Sequence, residues 1–305
     1  MDAIGGDETV TDLSCTRGFE ELISPKRCAK SLILAAALFT LIGAPQSGFA
    51  QTINPGQTKI DVTYQTPANA RLASVMNELK SRRVLEQLSE FVAPMRLPHA
   101  FHLTARQCNV VNAFYNPEDW SLTICYELVD ATIRGAPNAD QLKSGLTREE
   151  VIVGEVVFGV LHELGHAAFD MLEVPVFGRE EDAADQMAVF LSMQLSPQVE
   201  RMVATGNYYF FTGLEAAGSG QTEWSSFADE HGTAGQRRYN GLCWAYGGDR
   251  ELFKDYVEQG LLPQERAQGC RDEYLRIRDA FNRTVLPFID PKSVADVQKR
   301  NWFKP

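Results

Sequence analysis

Basic residues gather nowhere in this sequence. Its 29 Lys and Arg are outnumbered by 40 Asp and Glu, for a formal charge of −11, and no Lys/Arg patch stands out against that balance. The charge pattern argues against nucleic acid and anionic membranes as partners. No C-x-x-C pair occurs, so ligation of a metal by four cysteines has no support. Internal repeats and long low-complexity tracts are absent as well. Histidine is scarce, with five in 305 residues, and two of those five turn out to matter most.

Among the first fifty residues the order of chemistry is informative. Lys26, Arg27 and Lys30 precede an apolar run from Leu32 to Ile42, which is followed by Gly48 and Ala50 in the places of an A-x-A-like cleavage site. That is the order of a secretory signal peptide, and the run is shorter than the ~18–20 residues a transmembrane helix needs. Residues 1–50 are therefore expected to be a signal peptide, 51–66 an irregular lead-in, and 67–305 a single domain. No other apolar run of membrane length is expected. Removing residues 1–50, with six acids and four bases, leaves a charge of −9. The expected location is outside the cytoplasm, periplasmic or secreted, with no stable membrane insertion once the signal is removed.

Four cysteines remain beyond residue 50, an even number that suits an exported chain with two disulfides. "CNVVNAFYNPEDWSLTIC" reads as two strands around the turn "NPED". Cys108 and Cys125 are symmetric about the Asn116–Pro117 bond. In a hairpin they face each other ~4.5–5.5 Å apart, a gap a disulfide spans. Cys108–Cys125 is thus one expected pair, and Cys243–Cys270 follows by elimination.

Apolar spacing predicts a helix over "ARLASVMNELKSRRVLEQLSEFV", ended by Pro94. "PHAFHLTARQC" enters a first strand, and the hairpin adds two more. The longest helix signal is "LTREEVIVGEVVFGVLHELGHAAFDML", opened by a capping box of Thr147 and Glu150. Pro175 and Gly178 break it, and a second helix runs from near Arg179 to Pro197. The remainder reads as helical, interrupted by a flexible stretch at 215–226. The class is α+β: a small, largely antiparallel sheet, an active-site helix, and a mostly helical C-terminal half.

That long helix carries His162, Glu163 and His166 as His-Glu-x-x-His. Residues four apart on a helix differ by ~40° in direction and ~6 Å in height, so both imidazoles reach one zinc. Glu163 points aside, where a general base can take a proton from water activated by the metal. A metzincin needs Gly at 169 and His at 172, but Phe169 and Leu172 stand there. "REEDAADQMA" supplies a carboxylate instead. On a helix Glu181 completes a His–His–Glu set around one catalytic zinc, while Asp185 can orient a ligand histidine through its second nitrogen. Glu180 is a rival for the third ligand; Asp170 and Glu173, on the first helix or its exit, fit less well.

"HELGH" followed by "EDAAD" resembles the glutamate-ligand zincins, the gluzincins. With "CNVVNAFYNPEDWSLTICYELVD", "DEHGTAGQRRYNGLCWAYG" and "CRDEYLRIRDAFNRTVLPFI", the chain resembles a family of exported bacterial metallopeptidases of unassigned substrate. The resemblance implies a zincin-like fold whose sheet edge, here from the 108–125 hairpin, pairs with an extended peptide. It also implies a residue that stabilises the tetrahedral intermediate. His231 is the first candidate, with Tyr239, Arg237 and Arg238 behind it. Tyr126 and Glu127 either line the cleft or finish a strand, and the strand is favoured.

The expected function is an exported zinc metallopeptidase that hydrolyses peptide bonds in peptide or protein substrates, with Glu163 as base. The alternative is a non-catalytic zinc-binding module, stabilised by disulfides, that binds peptides.

Overall fold

The computed structural model describes residues 58–217 and 228–303. The expected signal segment and most of the 215–226 interruption lie outside these residues. Within the unit Gln51–Pro305, four strands form one sheet: β1 (Ile60–Tyr64), β2 (Phe101–Arg106), β3 (Ala113–Asn116) and β4 (Ser121–Cys125), in the order β1-β2-β4-β3. In β2 alternate residues, Phe101, Leu103 and Ala105, are buried, the period-two pattern of a strand with one covered face.

The architecture is α+β, but the sheet is mixed rather than largely antiparallel. β1 pairs with β2 in parallel and β2 pairs with β4 in parallel; β3–β4 is the antiparallel pair. The cause is β1, which lies inside the lead-in expected to be irregular. A helical crossover, α1 (Ala70–Ser81) and α2 (Val84–Val92), carries the chain back to lay β2 alongside it in the same direction. The two helices were expected as one. They part at Arg83, whose φ of 54° is left-handed. The Tyr64 hydroxyl from β1 then accepts from the Leu85 amide at 3.0 Å and donates to Glu86 at 2.9 Å, starting α2 anew.

The hairpin also sits differently from its expected register. Ala113 pairs with Ile124 and Asn116 with Ser121, so the loop is four residues long, and Cys108 lies before the hairpin. It follows β2 by two residues, and Arg106 of β2 is in register with Cys125. Cys108 and Cys125 are bonded with Cα atoms 5.4 Å apart, tying the exit of β2 to the end of β4 across a parallel pair. Cys243 and Cys270 are bonded at 5.0 Å. Tyr126 does not finish a strand: it opens α3 (Tyr126–Gly135), fully buried, its hydroxyl donating to Gln65 O. Glu127 is in α3 too and accepts the amides of Cys108 and Asn109.

α4 (Arg148–Met171) opens on the Thr147–Glu150 capping box. By length and composition it is apolar enough to cross a membrane, contrary to the expectation of no further such run. However, 72% of its most apolar window is buried inside the protein, because α5 (Glu180–Ser192), α6 (Pro197–Ala217) and β3 pack around it. Contact with α6 is backbone to backbone. A Cβ on Gly154 would stand 1.8 Å from Met202 O, and one on Gly206 would stand 2.2 Å from Glu155 N. The rest is helical: α7 (Ala234–Gly248), α8 (Arg250–Glu258), α9 (Gln264–Ala267), α10 (Cys270–Thr284) and α11 (Pro291–Lys299). The disulfide from α7 to the start of α10 fixes α7, which packs against α5 and α6.

Candidate metal centre and catalytic cleft

The turn between α4 and α5 decides which residues meet. Gly178, at φ +109°, takes a backbone conformation that side-chain-bearing residues rarely adopt, and α5 then folds back along α4. Gly165 admits this approach: a Cβ there would sit 3.1 Å from Ala184 Cα. Glu181 and Asp185, one turn apart on α5, thereby face His162 and His166, one turn apart on α4.

His162 Nε2 and His166 Nε2 are 3.2 Å apart. Glu181 places its two carboxylate oxygens 3.0 Å from the first and 3.5 Å from the second. A tetrahedral zinc with bonds of ~2.0–2.1 Å spaces its ligand atoms about 3.3 Å from one another, so this triangle has the size such an ion requires. Glu181 Oε2 adds a second indication. It is buried close to two imidazole nitrogens, His162 at 3.0 Å and His231 at 2.8 Å, yet has no hydrogen bond of acceptable geometry. A bound cation would satisfy an oxygen in that position.

Both imidazoles are oriented from behind. His162 Nδ1 is 2.8 Å from Asp185 Oδ1, and Arg237 grips the same buried carboxylate with two bonds of 2.7 Å. Burial would raise Asp185, but Arg237 and His162 hold it below the usual carboxylate range. His166 Nδ1 is 2.8 Å from Glu180. Glu180 thus stands beside the ligand set as an orienting partner, on the far nitrogen. With a metal bound, each carboxylate would accept the Nδ1 proton of its ring and leave the Nε2 lone pair for the ion. Burial lowers His162, but Asp185 and Glu181 overcome that and push it up to about 9.

Glu163 sits to the side of this triangle. Burial raises its carboxyl above the ordinary range, against the pull of His162 and His166, in the direction a general base at neutral pH needs. One oxygen accepts the Tyr115 amide from β3 at 2.8 Å, and the Tyr115 hydroxyl donates to Asp170 at 2.6 Å. The contribution of Tyr115 was not visible in sequence, since it is a backbone donor whose position depends on the sheet.

His231 lies in the loop before α7, with Nε2 2.8 Å from Glu181 and Nδ1 3.1 Å from Asp229. Arg237 is committed to Asp185 and Arg238 to Glu215 at 2.6 Å; the Arg238 guanidinium also lies over the Tyr239 ring. Of the four candidates for stabilising an intermediate, His231 is the one beside the ligand set. Two cavities meet at His162, Glu163 and His231. One of about 680 Å³ runs along β3 and past His166, and one of about 540 Å³ runs back along α4 toward its N-terminus.

The family described as "Putative metallopeptidase" matches residues 64–285, which include every residue of this cluster. The chain belongs to that family. The metallopeptidase match begins at the last residue of β1 and ends just past α10, so it takes in β2, β3, β4 and both disulfides. Neither a curated protein nor a solved structure matches the chain.

Proposed function

We propose that the protein is an exported zinc-dependent metallopeptidase. The observation that carries this reading is the triangle of His162 Nε2, His166 Nε2 and Glu181, sized for a tetrahedral ion, with Glu163 on the same helix beside it. His162, His166 and Glu181 would hold the ion. When bound, zinc supplies Lewis acidity, which polarises a carbonyl and eases deprotonation of water. Glu163 takes the proton of the attacking water and passes it to the leaving amine. His231, held by Asp229, donates toward the oxygen that gains charge. Asp185 and Glu180 keep the ligand rings in one tautomer and orientation.

The free edge of β3 supports a peptide as substrate. The Cys125 amide donates to Asn112 O, so by antiparallel alternation Ala113, Tyr115 and Pro117 turn their backbones outward. Ala113 offers an N–H and a C=O, and Tyr115 offers its C=O above Glu163. Two disulfides support a location outside the cytoplasm.

The test is elemental analysis of the purified protein together with digestion of a peptide library. One zinc per chain is expected, and Glu163→Gln should lower the cleavage rate by about 10²–10⁴-fold while keeping its zinc. A protein that holds no zinc, or a variant as active as the wild type, would refute the proposal.

A further inference from the structure

The cavity running back along α4 has a built end that the reading above does not use. We propose that this cavity is a pocket for a lysine or arginine side chain of the substrate, and that Glu155 at its end selects the charge. The inference rests on the peptidase reading and names the substrate class.

Glu155 precedes His162 by seven residues, two turns of helix, so both lie on one stripe of α4 about 10.5 Å apart along the axis. Between them stands Gly159. The other two glycines of α4 are enforced by packing, Gly154 against Met202 O and Gly165 against Ala184 Cα. Gly159 is not, since the nearest atom its Cβ would meet is Leu128 Cδ2 at 3.8 Å. A glycine inside a helix costs about 1 kcal/mol relative to alanine. Its effect here is open space between Glu155 and the metal centre, in a cavity of about 540 Å³ lined by both residues.

The walls are apolar, with Leu128, Phe158, Phe210 and Leu214 among them, and the end is not. Glu155 is 8% exposed. One of its oxygens accepts from Thr132 Oγ1 at 2.7 Å, and the carboxylate has no cationic partner among the described residues. Arg237, the other charged group at this cavity besides Glu163 and the histidines, is already held by Asp185 on both nitrogens. Burial pushes Glu155 up to about 7, which marks a carboxyl short of positive charge. A long aliphatic stem with a cationic head matches apolar walls that close on an acid. A leucine or phenylalanine would strip water from the carboxyl and return nothing, and an acidic side chain would be repelled.

The experiment is a digest of a mixed peptide library by the zinc-loaded protein, with cut sites read by mass spectrometry, for wild type, Glu155→Gln and Gly159→Leu. Glu155→Gln keeps size and the bond from Thr132; Gly159→Leu fills the space from the helix side and leaves the acid in place. Melting temperature is recorded for all three. Wild type should show Lys or Arg enriched about tenfold or more at one position flanking the cut, as expected where a buried polar group is matched or left unpaired. Both folded variants should lose that enrichment. Enrichment that survives in Glu155→Gln, or cutting without any Lys or Arg preference, overturns the pocket inference and leaves the peptidase reading standing. A wild type that cuts nothing overturns both.

Discussion

Replacing Glu200 by glutamine should stabilise the protein in a strongly pH-dependent way. Glu200 lies in the first turn of α6, 5% exposed, with Oε1 buried and without a hydrogen-bond partner. Burial first, and the nearby Asp249 carboxylate second, push its carboxyl from an ordinary 4.5 up to about 8. In the folded state Glu200 therefore stays protonated over a range where the unfolded chain has released the proton. Between these two values the native state binds more protons than the unfolded state, so stability falls as pH rises. The slope is about 1.4 kcal/mol per pH unit, and the penalty reaches roughly 3 kcal/mol at neutral pH before levelling off above about 8. Glutamine has the same shape and carries no such penalty. Urea unfolding of wild type and Glu200→Gln, in one chelator-containing buffer series from pH 5 to 8, isolates this group because other titrations cancel in the difference. The variant should be ahead by about 1 kcal/mol or less at pH 5 and by about 3 kcal/mol near pH 7. A difference that does not change with pH would mean that the carboxylate finds compensation in the folded state, and the reasoning would fail.

Three further outcomes follow from the geometry. Asp185→Asn removes the anion shared by His162 and Arg237, and zinc affinity in a chelator competition should drop about 10–100-fold. Gly154→Ala drives a methyl group into Met202 O, forcing α4 and α6 apart, so the melting temperature should fall by several degrees or the protein should not fold. Replacing Cys108 and Cys125 by serine opens a loop of sequence separation 17; chemical denaturation should show a loss of about 3 kcal/mol.

The helices that carry the centre were legible because their signals are local. Thr147 and Glu150 announce the start of α4, Pro175 and Gly178 the turn, and the four-residue spacings set His162 beside His166 and Glu181 beside Asp185. What sequence could not supply depends on parts of the chain far apart. β1 is five residues long and acquires its role from pairing with β2, 41 residues away, which is why the sheet came out mixed. Arg83 breaks a continuous apolar pattern because a tyrosine from that same strand begins the next helix. The Cys108–Cys125 pair was reached through a hairpin that the register does not form; both geometries bring the same two residues close. Arg237 was read as a reserve candidate, behind His231, for stabilising the tetrahedral intermediate; it bonds to Asp185, 52 residues earlier.

The bond from the Tyr115 amide to Glu163 bears on self-association as well as on catalysis. An exposed strand edge invites a second copy of the chain to add its own strand. Of the three outward positions on β3 and its turn, Pro117 has no N–H and the N–H of Tyr115 is already taken, which leaves Ala113 as the donor a neighbour could use. Glu163 therefore blunts the strand edge beside the proposed active site. Inactive protein made by truncating Glu163 to alanine would gain an adhesive strand along with its lost activity, whereas glutamine keeps an acceptor for Tyr115 and stays a clean control.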